Sequence, residues 1–266
     1  MAGMTPANDP GPPRLAVHGQ RATLTLNRPE HHNRLQVEDL LVLQQHCATL
    51  AALPELRVVV LTGQGKSFCS GFDLGALEST ASAPQAASSG PRLFEQTVDA
   101  LEALPVPTIC RLNGSVYGGA TDLALACDFR VGPQGMLLRM PAARIGLHYY
   151  ASGLRRCVAR LGLQAAKRLF LLAEDLPAAE LLALGWLDRC VPPGQLDAEV
   201  EQIAAALCAG APLALRGMKT SLNEIARGEY HLGALREREA LCAASEDLRE
   251  GQAALAAKRP PLFHGR

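Results

Sequence analysis

RVVVLTGQGKSFCSGFDL, residues 57–74, runs straight from four apolar β-formers, Val58-Val59-Val60-Leu61, into a polar loop with three glycines. A continuous apolar run of this length fits a strand buried on both faces, and that means a parallel sheet covered by helices. Upstream, Leu15–His18 and Arg21–Leu26 read as two short strands joined at Gly19-Gln20, and Pro29 ends the second because proline cannot continue a ladder. Leu35–Leu53 has helical spacing, with Leu40, Leu43, Cys47 and Leu50 on one face.

Downstream, the pattern repeats. Arg92–Leu104 is helical, Thr108–Leu112 is a second apolar strand, and Gly114–Cys127 opens on glycines and becomes helical. Asp128–Val131 and Met136–Met140 read as further short strands. From Ser152 onward the spacing is helical, broken at Pro177, Trp186–Pro193 and Pro212. Strand–helix alternation followed by a helical tail predicts an α/β core over residues 14–200 and a helical region over 201–266. Residues 78–91, rich in Ala and Ser, read as a surface loop or lid.

With 266 residues the chain can bury a substantial core, and 26 basic against 26 acidic residues leave no global field to collect nucleic acid or anionic membrane. Apolar runs fall well short of the roughly 20 residues of a membrane span. MAGMTPANDPGPP has neither a basic start nor an apolar core, so residues 1–13 read as a disordered lead-in and not a secretory signal. The eight cysteines lack zinc-knuckle or redox spacing, which predicts free thiols, no structural metal and a cytoplasmic location.

Two glycine-bearing loops each follow a buried strand: Ser67–Leu74, and Asn113–Ala120 leading into a helix. Glycine allows close approach of a ligand, and a helix start leaves N–H groups without partners. Two such loops side by side could aim two N–H donors at one developing oxyanion. Neither loop has G-x-G-x-x-G spacing, and Gly65-Lys66-Ser67 lacks the upstream glycine of a phosphate loop.

TLTLNRPEHHNRL, VVVLTGQGKSFCSGFDL, NGSVYGGATDLALACDFRV and EGQAALAAKRPPLF, in that order between Leu15 and Phe263, together resemble the crotonase superfamily, the enoyl-CoA hydratase/isomerase family. The resemblance implies a core of repeated ββα units and a helical C-terminal region that builds a homotrimer or a dimer of trimers. It also implies acyl-CoA thioester substrates and no cofactor beyond the coenzyme A that the substrate carries. The family's oxyanion hole carries over to the backbone N–H groups of Phe72 and Gly119, with Phe72 where the family more often has Ala or His. The first family glutamate falls on Asp122, which reads equally as a first-turn acid favouring the helix dipole. The second falls on Ala142, which cannot transfer a proton, so two-carboxylate hydration is not expected.

Gly146–Gly153 adds a polar and aromatic cluster. Tyr149 matches a tyrosine of the family's malonyl-type acyl-CoA decarboxylases, and His148 is a further catalytic candidate. Arg28 and Lys258 match positions near CoA, Lys258 acting on a neighbouring subunit's ligand, and Asp73 is expected to brace the first loop there. Arg155-Arg156 reads as an exposed or intersubunit pair. The expectation is an acyl-CoA enzyme working through a thioester enolate; a malonyl-type decarboxylase and a catalytically silent acyl-CoA binder are the alternatives.

Overall fold

The computed structural model describes residues 9–73, 75 and 89–266. Nine strands appear in it: β1 (Arg14–His18), β2 (Arg21–Leu26), β3 (Val58–Gly63), β4 (Thr108–Arg111), β5 (Val116–Tyr117), β6 (Phe129–Pro133), β7 (Leu137–Arg139), β8 (Asp175–Pro177) and β9 (Arg189–Val191). The helices that position the site are α1 (Val37–Ala51), α2 (Ser89–Glu102), α3 (Ala120–Leu125) and α4 (Ala151–Leu161). Beyond these come α5 (Leu163–Lys167), α6 (Ala178–Ala183), α7 (Leu196–Cys208), α8 (Pro212–Arg227), α9 (Leu232–Ala244) and α10 (Glu246–Ala256).

β1 and β2 form an antiparallel hairpin; from β2 onward the six-stranded sheet, ordered β1-β2-β3-β4-β6-β9, is parallel. β5, β7 and β8 make a second small sheet. The β3 run is covered on both faces, as its unbroken apolar character requires. Val59 and Leu61 belong to the same apolar cluster as Leu40, Leu43 and Leu50 of α1. Val58 and Val60 belong to the opposite one, with Leu196, Val200 and Ala204 of α7. α7 is therefore the sheet's second cover, and the expected boundary at 200/201 falls inside it.

β8 and β9 stand where the sequence marks only breaks in helical spacing. Strands of three residues are too short to show a period of two. The expected lid, residues 78–91, lies outside the described residues except for 89–91, which begin α2. Residues 1–8 of the expected lead-in also lie outside them. Among the described residues no single helix is long and apolar enough to cross a membrane.

Leu61 is buried at the centre of the larger cluster. Leu61→Ala is expected to destabilise the fold by about 2–5 kcal/mol, read as a lower denaturant midpoint with an unchanged slope. Val17→Ala, on the exposed edge strand, should stay within about 0.5 kcal/mol of the parent protein.

Candidate active site

β3 and β4 are neighbours and run parallel, so the two glycine loops leave adjacent carboxyl ends of the sheet, where open α/β sheets form their crevices. Two asparagines shape the first loop. The Asn33 side chain donates to the carbonyls of Gln64, Ser67 and Phe68 at 2.8, 3.0 and 3.0 Å, and its Oδ1 accepts from the Arg28 N–H. Asn113 donates to Gly65 and Ser67 and accepts from the Gly63 N–H.

The first loop then lies between two partners. On one side Tyr117 N–H donates to the Cys69 carbonyl. On the other, Leu35 N–H donates to the Gly71 carbonyl and Asp73 N–H to the Leu35 carbonyl, both at 2.9 Å. In such a parallel bridge the bonds go to residues 71 and 73, so the peptide N–H of Phe72 points away from Leu35.

Gly71, at φ +88°, brings the loops together: a Cβ there would lie 2.8 Å from the Gly119 nitrogen. Neither the Phe72 nor the Gly119 N–H has a hydrogen-bond partner among the described residues. Both residues line one cavity of about 220 Å3. Gly119 needs its missing side chain for room and not for conformation, since a Cβ would meet the Phe94 ring at 2.8 Å.

The cavity wall is largely apolar: Phe72, Pro91, Phe94, Met140, Ala142, Ile145 and Leu147. Ser70, Tyr117, His148, Tyr149 and Tyr150 supply the polar side chains, and no Asp or Glu lines it among the described residues. The aromatic rings form a row. Phe72 meets Phe94 edge-on with centroids 6.1 Å apart, Phe94 and Tyr150 are 6.0 Å apart, and Tyr150 stacks on Tyr149 at 4.3 Å. His148 Nδ1 is 2.8 Å from the Tyr149 carbonyl, which can only accept, so Nδ1 carries the proton and Nε2 is left as the free ring nitrogen.

Asp122 stands behind this wall, in the first turn of α3 and only 2% exposed. Its Oδ2 accepts from the Tyr150 hydroxyl at 2.6 Å and from Arg156 at 2.5 Å; its buried Oδ1 has no partner among the described residues. Arg156 is not the exposed residue the sequence suggests. At 2% exposure it bonds Asp99, Glu102 and Asp122 at once, and three converging carboxylates make its burial tolerable. Burial lifts the Asp122 carboxyl above its ordinary value, and Arg156 offsets this only in part. At Glu102 burial also pushes upward, but Arg156, with Arg160 and Arg227, outweighs it and the pKa is lowered.

The sequence candidates thus divide. Phe72, Gly119, His148 and Tyr149 line the cavity, and Asp122 sits one side chain behind it. Asp73 braces the loop, accepting from Gly75 N–H and pairing with Arg34. Arg28 is turned to Asp39 at 2.9 Å and to Glu38 at 3.2 Å, tying the Asn-Arg-Pro turn to the start of α1. Lys258 is exposed beyond α10, and its side chain has no hydrogen bond or ion pair among the described residues. Asn33, Phe94 and Arg156 are residues to which the sequence gave no role at the site, and Tyr150 was a candidate only as part of its cluster. Only Tyr150, inside the polar and aromatic cluster, carried any local signal.

A parallel sheet ending in two glycine loops over an apolar cavity, with a helical tail, is the crotonase fold. The family model for enoyl-CoA hydratase/isomerase matches residues 19–266, and the chain belongs to that family of enzymes. It is 30% identical to a crotonyl-CoA hydratase of Syntrophomonas wolfei, over 91% of this chain and 94% of that one. A 2,3-dehydroadipyl-CoA hydratase of Escherichia coli is 29% identical, again over 91% and 94%. Among solved structures, an enoyl-CoA hydratase/carnithine racemase of Magnetospirillum magneticum superposes with a TM-score of 0.90 at 28% identity, covering 97% of each chain.

Replacing Arg156 by Met leaves Asp122 buried without its countercharge and Glu102 with only the more distant Arg160 and Arg227, an expected loss of about 3–5 kcal/mol near neutral pH. The Asp122 carboxyl, already raised by burial, then rises further above its unfolded value. A carboxyl raised in the folded state destabilises while ionised and ceases to do so as pH falls through its folded pKa. The stability gap between Arg156→Met and the parent should therefore shrink as pH is lowered from neutral toward the ordinary carboxylate range, as measured by unfolding at a series of pH values.

Proposed function

We propose that this enzyme binds an acyl-CoA thioester with its carbonyl oxygen between the N–H groups of Phe72 and Gly119, and that its chemistry runs through the thioester enolate. The observation that carries this reading is the pair of N–H groups, both without protein partners among the described residues, on two loops that meet at one cavity. An enolate places its charge on the thioester oxygen, and losing one preorganised donor at such a site typically costs about 3–4 kcal/mol of barrier.

Efficient two-carboxylate hydration is not the reaction this pocket supports. Adding water needs one group to activate it and another to protonate Cα. Ala142, 5% exposed and on the cavity wall, is the residue that the family resemblance sets at the second carboxylate position. One carboxylate, Asp122, remains near enough to serve, which suits movement of a proton along the acyl chain, an isomerase-type reaction.

A second reading is favoured by the same wall. With no carboxylate lining it among the described residues and the Asp122 charge held by Arg156, an anionic malonyl-type acyl-CoA would meet little repulsion. Loss of carbon dioxide leaves the enolate directly, and Tyr149 would orient the departing carboxylate.

The C-terminal helices suit the trimer or dimer of trimers that the family resemblance implies. Met218, Leu222 and Ile225 follow one another along α8, all about half exposed or more, and Leu241 of α9 and Leu255 of α10 are likewise uncovered. Lys258 would meet the CoA phosphates of a neighbouring subunit's ligand.

Crotonyl-CoA, a 3-enoyl-CoA and methylmalonyl-CoA assayed side by side separate these readings. Isomerisation of the 3-enoyl-CoA or decarboxylation of methylmalonyl-CoA is expected to exceed crotonyl-CoA hydration by about 10²-fold, the scale of one general acid–base group. Hydration as the fastest reaction would overturn the proposal; binding without turnover of any of the three would leave a silent binder. Light scattering at micromolar concentration should give a trimer or hexamer, and a monomer would contradict the assembly.

A further inference from the structure

Asp122 does not line the cavity, yet the cavity reaches it through one side chain. Tyr150 lines the wall and its hydroxyl donates to Asp122 Oδ2 at 2.6 Å. The same hydroxyl oxygen accepts from the Tyr149 hydroxyl at 3.1 Å. On its other side Tyr150 packs near Phe94, the ring that covers Gly119. The phenol therefore connects the buried carboxylate to the part of the pocket that carries the free N–H groups. Gly153 preserves this connection: a Cβ there would fall 2.4 Å from Tyr149, 2.7 Å from Tyr150 and 2.9 Å from Asp122 Oδ2.

Resting on the reading that the pocket holds an acyl-CoA thioester, we propose that Tyr150 is the catalytic group at the acyl chain and relays protons between a substrate carbon and Asp122. In the forward step a substrate C–H proton passes to the phenol oxygen while the phenol's own proton passes to Asp122. The C–H electron pair becomes the enolate, whose charge rests on the thioester oxygen, and Asp122 becomes a neutral acid. In the return step Asp122 gives its proton to Tyr150, and Tyr150 gives its proton to the same carbon or to the conjugated one. Charge and protons balance with no further reactant.

The surroundings suit a relay better than a free phenolate. Burial, and then the neighbouring Asp122 charge, push the Tyr150 hydroxyl well above its ordinary pKa, so it stays a neutral donor between turnovers. Arg156 is a positioning residue that keeps Asp122 Oδ2 aimed at the phenol. Tyr149 donates to Tyr150 and, among the described residues, to no carboxylate, so it reaches Asp122 only through Tyr150.

The test is exchange of the α-hydrogens of butyryl-CoA in deuterium oxide, followed by NMR, because it reports enolate formation without any later step. The parent protein is expected to exchange. Tyr150→Phe and Asp122→Asn should each slow exchange by about 10²–10⁴-fold while still binding butyryl-CoA within a few fold. The double variant should be no slower than either single one, since both interrupt one path. Exchange at the parent rate in Tyr150→Phe would overturn the relay and leave the acyl-CoA reading standing. If Tyr150→Phe fails to bind, Asp122→Asn carries the test alone, and parent-rate exchange in it overturns the relay. A parent protein that binds butyryl-CoA but exchanges nothing overturns both the relay and the enolate reading; one that binds no acyl-CoA overturns the pocket reading as well.

Discussion

Two loops at adjacent strand ends approach each other here with less room than one methyl group needs. At Gly71 the limit is the Gly119 nitrogen, and at Gly114 it is backbone, with the Lys66 carbonyl only 2.0 Å from where a Cβ would be. Because the contacts are between backbones, no rearrangement of a flexible side chain relieves them. The parallel pairing of β3 with β4 brings the loops to one edge, and Asn33 and Asn113 hold the first loop from below. Everything proposed for the thioester oxygen depends on this approach, since two N–H groups serve one oxygen only if their spacing is fixed in advance.

A second constraint sits behind the first. A carboxylate at Asp122 cannot remain buried and ionised unless something shares its charge. Arg156 does so, and the acidic residues around it, Asp99 and Glu102, in turn make the arginine tolerable. This network holds the carboxylate behind the cavity wall, where Tyr150 joins it to the polar side of the lining. Ala142 adds only a small apolar side chain to the same cavity.

The sheet was legible because Val58–Leu61 is apolar at every position, which only a doubly covered strand tolerates. The two glycine loops were legible as a candidate site through the family resemblance, since glycines before a helix by themselves more often make only a turn. Three-residue strands such as β8 and β9 were not, because they offer no periodicity. Arg156 was misread for a different reason: charge predicts exposure unless partners are known, and its partners lie 34 to 57 residues away in sequence. Tyr150 was hidden beside Tyr149, since nothing in two consecutive tyrosines says which hydroxyl meets the carboxylate. Arg28 shows what its motif could not: the sequence match suggested a position near CoA, and the fold adds that Nε and Nη2 are turned to Asp39 and Glu38 at the start of α1.

The claim on which the account turns is that the backbone of Phe72 and Gly119 holds the thioester oxygen. A crystal structure of the protein with butyryl-CoA bound tests it most directly. The account predicts the thioester oxygen about 2.7–3.1 Å from both peptide nitrogens, with the acyl chain running along Phe94 toward Tyr150. A thioester oxygen turned to solvent or bonded elsewhere, with either N–H still unpaired, would contradict it.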